Sequence, residues 1–530
     1  MDRSPGSLST RETGQEPPFG GNDLAEALDL ELLAAMGYKQ EFRRHYSTLQ
    51  VFAIAFSIMG LLPSIASTLS FSVSAGPAAM VWADLGSALP TSGGLYWWTH
   101  HFAAAKWKNP LSFLVGYSNT IGLIGGICSV DYSFVLMVFA IVSFVRDGEW
   151  MASRNLIYGV YAATIVTHGV LAILAAPIMH RIQTACIVAN VGLVLATVIA
   201  LPIGRSRTVE GINSAAYVFG HIDNLTTWPA GWAFMLAWLS PIWSVGAFDS
   251  CIHMSEEAMN AAKAVPYGIL GAIGACWSLG FVSLCIIAAC MSTDPHAILE
   301  SRFGQPIAQI YYDALGKNAA IGFMVTMATV QFFMGLSIVI AASRQTWAFS
   351  RDGALPFSDY LKVVSTRFRY QPARAVAGVT ITSVILGLLC LINNAATNAL
   401  FSLTVAGNSV AWATPIFCRI FWGQDKFKPG SFYTGRLSTP IAIIALVYLA
   451  FSITLSMFPT AGPAPSRKSS PCLLLFLFNG QYELHGRDQR MCLGWLAAVL
   501  FLISKEVVPW ASENACSGIT LSGTDNKEMR

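Results

Sequence analysis

The chain has 530 residues, of which 54% are hydrophobic and only 12% charged, and its formal net charge is +3. This composition excludes an ordinary soluble globule, and the small, dispersed charge disfavours nucleic acid as a partner. We expect an all-α polytopic membrane protein that has the lipid bilayer as its surroundings. Most of the eleven cysteines lie in or beside apolar runs, which indicates small buried side chains instead of a disulfide framework.

Residues 1–45 are predicted to be a cytosolic tail with one short helix. The first part, to about Asn22, is rich in Ser, Gly, Pro and charge and lacks the apolar region of a signal peptide, which predicts disorder. An amphipathic helix is predicted at residues 24–37. Lys39 and Arg44 then precede the first span, and this placement of positive charge predicts a cytosolic N-terminus.

The predicted transmembrane permease domain covers residues 46–463. Apolar runs predict spans at residues 49–72, 111–145, 156–176, 185–204, 231–250, 266–291, 319–342, 375–392, 399–421 and 440–458. The basic loops all share the side of the N-terminus only if the chain crosses the membrane twice before Lys106. The apolar run at residues 75–90 is too short for that second crossing. We therefore infer that span two is truncated, with a segment missing between Trp82 and Ala83.

Two of the predicted spans contain helix-breaking residues at mid-membrane depth. The first span has Gly60 and Pro63, and the sixth has Pro241 and Gly246. Proline removes a backbone donor and glycine loosens a helix, so both spans are expected to break there. Backbone groups freed inside a membrane are tolerated only where they face protein or line a cavity. Broken spans at positions one and six are typical of a midplane binding site between two structural repeats.

Backbone N–H groups at such breaks suit the carboxylate of a small substrate. The candidate substrate-binding residues are Gly60, Leu61, Ser64, Trp243, Ser244, Val245, Gly246 and Phe248. Among them, Trp243 and Phe248 are candidates for the wall or gate of the pocket, and ordinary packing is an equal alternative for both rings. The register of the contacts within span one stays open at this stage.

Two acidic residues lie within predicted spans. Ionisable side chains at membrane depth are functional candidates by default, so Asp131 and Asp249 are expected to bind the amine of a substrate or to carry a coupled proton. A structural hydrogen bond between helices is the alternative for each. Small residues that allow close helix approach precede Asp131, namely Gly122, Gly125 and Gly126. Polar side chains expected to join helices more than to contact ligand are Ser118, Asn119, Thr404, Asn408 and Ser409.

Glu256 and Glu257 follow the broken sixth span, at its expected cytosolic mouth. We expect them to form an inner gate by pairing with Arg344 or Arg351, which follow span eight. A solvated or ion-paired helix end is the alternative interpretation of this acidic pair.

Several strings in the chain resemble the amino acid-polyamine-organocation transporter superfamily. Residues 90–96 look like its motif after span two, and residues 342–356 look like its signature after span eight. The strings MGLLPSIASTL, CSVDY, SVGAFDSCIHMSEEA and NALFSLTVAGNSVAW resemble the fungal GABA/choline permease branch in particular. The resemblance, over about residues 37–463, implies twelve spans in a LeuT-like five-plus-five inverted repeat and cation-coupled uptake. It also supports a functional role for Asp249, because many superfamily members hold an acid at the matching position.

The chain departs from that pattern at two places. The resemblance implies about sixteen further apolar residues before Ala83, in agreement with the truncated span two. After Pro465, where span twelve should begin, the apolar runs are both shorter than a span. With a permissible choice of codons, shifting the reading frame by one base in this stretch gives a sequence that fits the family's final span. We infer that residues 464–530 are aberrant and out of frame from about Pro471, so that span twelve is scrambled.

The predicted function is secondary active import of a small, GABA-like amino acid by proton symport through alternating access. Choline or a polyamine is the alternative substrate, because Trp238, Trp243 and Trp412 keep an aromatic cage available. A nutrient receptor without transport activity is disfavoured by the short tail. An enzyme, a metal site or a resident cofactor is not expected, since no nucleophile with a base, phosphate loop or metal-ligand spacing occurs. The membrane is expected to be the plasma or the vacuolar membrane.

Overall fold

A computed structural model describes residues 27, 29–31, 33–34, 38–42, 44, 46–67, 94–175, 178–221, 228–236, 238–299, 301–365, 370–392, 394–430 and 432–458. The predicted disordered tail, the truncated span two at residues 75–90 and the aberrant segment 464–530 lie outside these residues. Within the described part, regular structure is helical, apart from the isolated bridges Tyr46–Ala258 and Ser365–Gln371.

The helices follow one another along the chain with mostly short connections. They are α1 (Thr48–Met59), α2 (Leu61–Ser67), α3 (Gly94–Phe102), α4 (Lys108–Val145), α5 (Arg154–Leu174), α6 (Met179–Arg205), α7 (Ala215–Gly220), α8 (Ala230–Leu236), α9 (Leu239–Ser244), α10 (Ser250–His253), α11 (Ala261–Cys290), α12 (Pro295–Leu299), α13 (Pro306–Leu315), α14 (Lys317–Arg351), α15 (Ser358–Leu361), α16 (Ala373–Leu386), α17 (Asn394–Trp422) and α18 (Ser438–Ser456). Short 3-10 turns cover Gly387–Leu391, Gln424–Lys426 and Gly435–Leu437.

The prediction of an all-α polytopic membrane protein is confirmed. Nine helical segments in the described residues are long and apolar enough to cross a membrane, counting α1 with α2 as one. Span six is built from shorter pieces. The largest difference from the predicted boundaries is at α14, which continues nine residues past the predicted end at residue 342. Residues 343–350 are all buried, so these polar turns are covered by protein and need no lipid-facing apolar surface.

Helix α4 lies at the centre of the bundle and packs along both α14 and α17. The predicted close approach at its glycines is present. A Cβ atom at Gly122 would lie 2.9 Å from the backbone nitrogen of Asn408, and one at Gly125 would lie 3.0 Å from Thr404 Oγ1. The absence of side chains at these positions lets α17 lie directly against α4.

The first span breaks at Gly60, as the sequence predicts. Helix α1 begins after Ser47, whose backbone N–H donates to Gln50 Oε1 at 2.8 Å. It ends at Gly60, which adopts a left-handed conformation with φ +46°. Pro63 lies in the first turn of α2, where its missing N–H costs no helical hydrogen bond. A Cβ atom at Gly60 would clash with Met334 Sδ of α14, so glycine is favoured both by the backbone angle and by the neighbour.

The sixth span also breaks, slightly later than expected from Pro241. Proline 241 lies inside the short helix α9, which ends at Ser244. Residues 245–249 then form a non-helical turn, and the left-handed residue in it is Ala247 at φ +60°, not Gly246. A non-glycine residue in this region is strained by about 1–3 kcal/mol, and such strain is concentrated at functional sites. Breaks in spans one and six agree with the implied five-plus-five repeat.

Candidate functional site

A small cavity lies between the two broken spans and the central helices. It is lined by residues of α1, α4, α9, α14 and α17 and by the turn after α9. One face of α17 contributes Thr404, Asn408 and Trp412, which follow one another at the four-residue spacing that aligns side chains on a helix. The space that water can occupy is about 30 Å³, room for about two water molecules. An amino acid therefore fits only after lining groups move.

Some of the predicted substrate-binding residues line the cavity, and others do not. In span six, Trp243 and Gly246 line the cavity, whereas Ser244, Val245 and Phe248 are not among the lining residues. The Phe248 ring packs 4.4 Å from the Trp412 ring, centroid to centroid.

In span one the lining residue is Ile58, which precedes the predicted contacts Gly60, Leu61 and Ser64. Those three residues are buried, and the Ser64 hydroxyl donates back to the Met59 carbonyl. Gly60, Leu61 and Ser64 are not among the residues that line this cavity, and Gly60 faces Met334 of α14.

Asp249 lies behind the cavity and is fully buried. Its Oδ2 accepts a hydrogen bond from Asn119 Nδ2 at 2.8 Å and lies 3.4 Å from His253 Nε2. Asn119 also donates to Asn408 Oδ1 at 3.3 Å, and Asn408 lines the cavity. A polar chain therefore connects the acid of span six to the cavity wall through spans three and ten.

Asp131 lies within α4, which continues through it without a break. Its Oδ2 lies 3.2 Å from Nδ1 of His168 in α5, and neither side chain is exposed. Asp131 is not a lining residue of the cavity, although its neighbour Val130 is. The sequence analysis missed His168, because a single histidine in an apolar span gives no pattern that identifies its partner.

The four predicted gate residues form two ion pairs at the end of the bundle where the N-terminal segment lies. Arg344 Nε donates to Glu257 Oε1 at 2.8 Å, and both side chains are buried. Arg351 contacts both carboxylate oxygens of Glu256, at 3.1 and 3.2 Å. These pairs join α14 to the segment between α10 and α11, directly below the broken sixth span.

The described residues of the predicted tail pack onto this same end. Arg44 donates to the carbonyls of Ser255 and Ala258, at 3.2 and 2.8 Å, and pairs with Asp29 at 3.4 Å. Asp29 is only 4% exposed. Asp29 and Arg44 therefore join the described part of the tail to the segment that carries Glu256 and Glu257.

Asp352, at the end of α14, joins the tail to the helix that carries Arg351. Its Oδ2 accepts hydrogen bonds from the hydroxyls of Tyr38, at 3.0 Å, and Tyr96, at 2.7 Å. Burial raises the pKa of the Asp352 carboxyl above its usual value, and the Arg351 charge and the two phenol donors only partly oppose that shift. Burial and the Asp352 charge also raise the pKa of Tyr38 well above its usual value.

Comparison with known proteins gives a consistent result. The family model described as amino acid permease matches residues 46–478. The GABA-specific permease of Saccharomyces cerevisiae is 44% identical over 450 residues, which cover 82% of this chain and 79% of that protein. An uncharacterized amino-acid permease of Schizosaccharomyces pombe is 31% identical over 471 residues, covering 86% of this chain and 84% of the relative.

A more distant relative, amino-acid permease 2 of Neurospora crassa, is 27% identical over 465 residues, or 84% of each chain. The matched region contains both broken spans, the cavity and the two ion pairs. The chain is thus an integral, multi-pass membrane protein that belongs to the amino acid permease family.

Proposed function

We propose that the protein imports a small, GABA-like amino acid by proton symport through alternating access. The observation that carries the proposal is the position of the cavity, which lies at the breaks of spans one and six; two ion pairs lie in the segment that follows span six. The similarity to a GABA-specific permease supports this choice among amino acids.

The two ends of such a substrate need different partners. In the turn after α9, the N–H groups of Ala247 and Phe248 donate to no backbone carbonyl among the described residues. These groups suit a carboxylate, because donors inside a membrane need partners and a charged acceptor strengthens the bond. The ammonium end suits the side of Asn408, where the Asn119–Asp249 chain supplies negative charge.

Alternating access requires that the closed end opens. Basic residues concentrate at that end, including Arg44, Arg344, Arg351 and Lys362, which favours the cytosol on that side. Separation of Glu256 from Arg351 and of Glu257 from Arg344 would then open the path from the cavity to the cytosol. The two pairs therefore act as the inner gate in this proposal.

Choline or another organic cation is a second candidate substrate. Trp243 and Trp412 both line the cavity. The faces of their indole rings attract organic cations, including choline, which has no carboxylate. Trp238 is not among the residues that line the cavity, and its ring packs against Phe451 with centroids 6.3 Å apart.

The test is radiolabelled uptake in cells that lack their own GABA and choline permeases, at about pH 5 and about pH 7.5. Two full-length forms are compared: the 530-residue chain and a form with span two and the final span restored. We expect the restored form to accumulate GABA, faster at the lower pH, and the 530-residue form to be inactive because backbone or charge would be left in lipid. Choline uptake without GABA uptake would replace the substrate. Uptake by the 530-residue form would contradict the inferred sequence error.

A further inference from the structure

A buried acid–base pair lies outside the cavity, in the helices that support it. Asp131 Oδ2 and His168 Nδ1 are 3.2 Å apart, and both side chains are fully buried between α4 and α5. Gly335 of α14 closes the third side, where a Cβ atom would clash with Asp131 Oδ1 and approach the His168 ring. The backbone of α14 thus lies directly against the pair.

Asp131 in α4 and Gly335 in α14 each directly follow a residue that lines the cavity. Val130 precedes Asp131 and lines the cavity, and Met334 precedes Gly335 and lines it as well. Gln331 Nε2 donates to the Val130 carbonyl at 2.9 Å and so ties α14 to α4 at this level. Any change in the position of the pair therefore displaces groups that face the substrate.

Met334 connects the same place to the first broken span. Its sulfur lies 3.9 Å from Ser64 Oγ, and its side chain occupies the space that a Cβ atom on Gly60 would need. A chain of direct contacts therefore runs from Asp131 through Gly335 and Met334 to the break in span one.

The electrostatics around the pair are simple. Cys128 in α4 and Tyr161 in α5 are titratable groups that also interact with Asp131, and both interact in turn with Cys390 after α16. Thiols and phenols are neutral near pH 7. Asp131 Oδ1 and His168 Nε2 have no hydrogen-bond partner among the described residues. An ionised Asp131 beside a neutral His168 is thus a buried charge with one hydrogen-bond donor and no opposite charge beside it, which is costly.

We propose that the Asp131–His168 pair is the binding site of the coupled proton, separate from the substrate cavity; this rests on the symport of the proposed function. Before proton binding, His168 donates from Nδ1 to the Asp131 carboxylate. One proton from outside then adds to His168 Nε2 and gives an imidazolium–carboxylate pair without net charge, and the same proton later leaves to the cytosol. Each step changes the attraction between α4 and α5 and hence the packing of Gly335 and Met334.

The second buried pair, Asp249 with His253, suits a different role. Asp249 Oδ2 is already held by Asn119, which reaches the cavity wall through Asn408. The two acids therefore divide the tasks: Asp249 acts on the substrate and Asp131 binds the proton.

The test uses purified protein of the full-length form that transports in the uptake assay, placed in liposomes that contain a pH-sensitive dye. Asp131→Asn and His168→Gln are compared with the parent and with His296→Gln, an exposed histidine of α12. We expect the parent and H296Q to show GABA-driven proton influx. Both pair variants should lose that influx and uphill accumulation, yet retain the exchange of labelled for unlabelled GABA, which needs no net proton movement.

Exchange activity also shows that a variant is folded. If D131N does not fold, the result for H168Q alone tests the proposal. Proton influx of the parental size in H168Q would overturn the proposal. So would loss of exchange by H168Q at a parental melting temperature, since the pair would then serve substrate binding. If the parent exchanges GABA without any proton influx, the proposed symport itself is refuted. This result can be told apart from failure of the proton-site proposal, because it is seen in the parent without any variant.

Discussion

Arg344 of α14 donates from Nε to Glu257 Oε1 at 2.8 Å, and neither side chain is more than 3% exposed. The same guanidinium also donates from Nη2 to Gln371 Oε1 at 2.5 Å. Desolvation makes such a pair expensive to form, and removal of one partner leaves an uncompensated buried charge. Removal of one partner of this pair should therefore destabilise the folded protein.

Glu257→Gln should lower the free energy of unfolding by about 3–5 kcal/mol, because Arg344 is left charged and buried. The double variant Glu257→Gln with Arg344→Met should recover part of that loss, since it removes the lone charge. Thermal melting of the purified protein measures both effects. Asp359→Asn is the matched control, because Asp359 pairs with Lys362 in solvent. Equal melting temperatures for E257Q and D359N would contradict the prediction.

Gly60→Ala should impair transport and stability. The left-handed backbone costs an alanine about 1–2 kcal/mol, and the new methyl group clashes with Met334 Sδ. Adding Met334→Ala to Gly60→Ala removes the clash but not the backbone strain. The double variant should therefore recover only part of the lost uptake and stability. The control is Gly274→Ala in α11, which meets no atom within 4 Å. Uptake and melting temperature are measured, and normal uptake by G60A would show that the break tolerates a side chain.

Asn119→Ala should weaken substrate binding, because it removes the 2.8 Å hydrogen bond to Asp249 and the link to Asn408. A hydrogen bond to a charged group contributes about 1.5–3 kcal/mol, which corresponds to an increase in KM of about tenfold or more. Thr120→Ala is the control, since its hydroxyl donates only to the Gly116 carbonyl of the same helix. Concentration-dependent uptake distinguishes the two, and an unchanged KM in N119A would assign Asn119 a purely structural role.

Asp352 should make stability depend on pH. A carboxyl whose pKa is higher in the folded than in the unfolded state binds its proton more tightly when folded, so its contribution becomes less favourable as pH rises from about 4 through the raised pKa. Asp352→Asn should therefore gain melting temperature relative to the parent as pH increases across this window. Tyr38→Phe removes a donor that favours the carboxylate and should steepen the parental loss. A difference between D352N and parent that is constant from about pH 4 to about pH 8 would contradict this assignment.

The breaks were predictable from sequence because they depend on local chemistry. Gly60 and Gly246 lie in otherwise apolar runs, and the structure ends helices at or just before both residues. The contact register was not predictable, since it depends on how α14 meets the break. Ile58 instead of Gly60 faces the cavity for this reason.

Contacts between residues that are far apart in the chain could not be predicted from the sequence either. Tyr38 and Asp352 are 314 residues apart, and no periodic pattern in either segment indicates their hydrogen bond. His168 was missed for the same reason. The pairing of acidic and basic residues near Glu256 was easier to anticipate, because buried charges at a domain end need opposite charges and few were available.

The bridge between Tyr46 and Ala258 has a consequence for the mechanics of opening. The Tyr46 N–H donates to the Glu257 carbonyl at 3.1 Å, and the Met259 N–H donates to the Tyr46 carbonyl at 2.8 Å. The start of α1 and the segment after α10 are thus tied by two main-chain hydrogen bonds, which only a substitution by proline would remove directly. In the proposed alternating-access mechanism, the inner ends of spans one and six would therefore move together as a single body that separates from α14, while the two hydrogen bonds within this body stay intact.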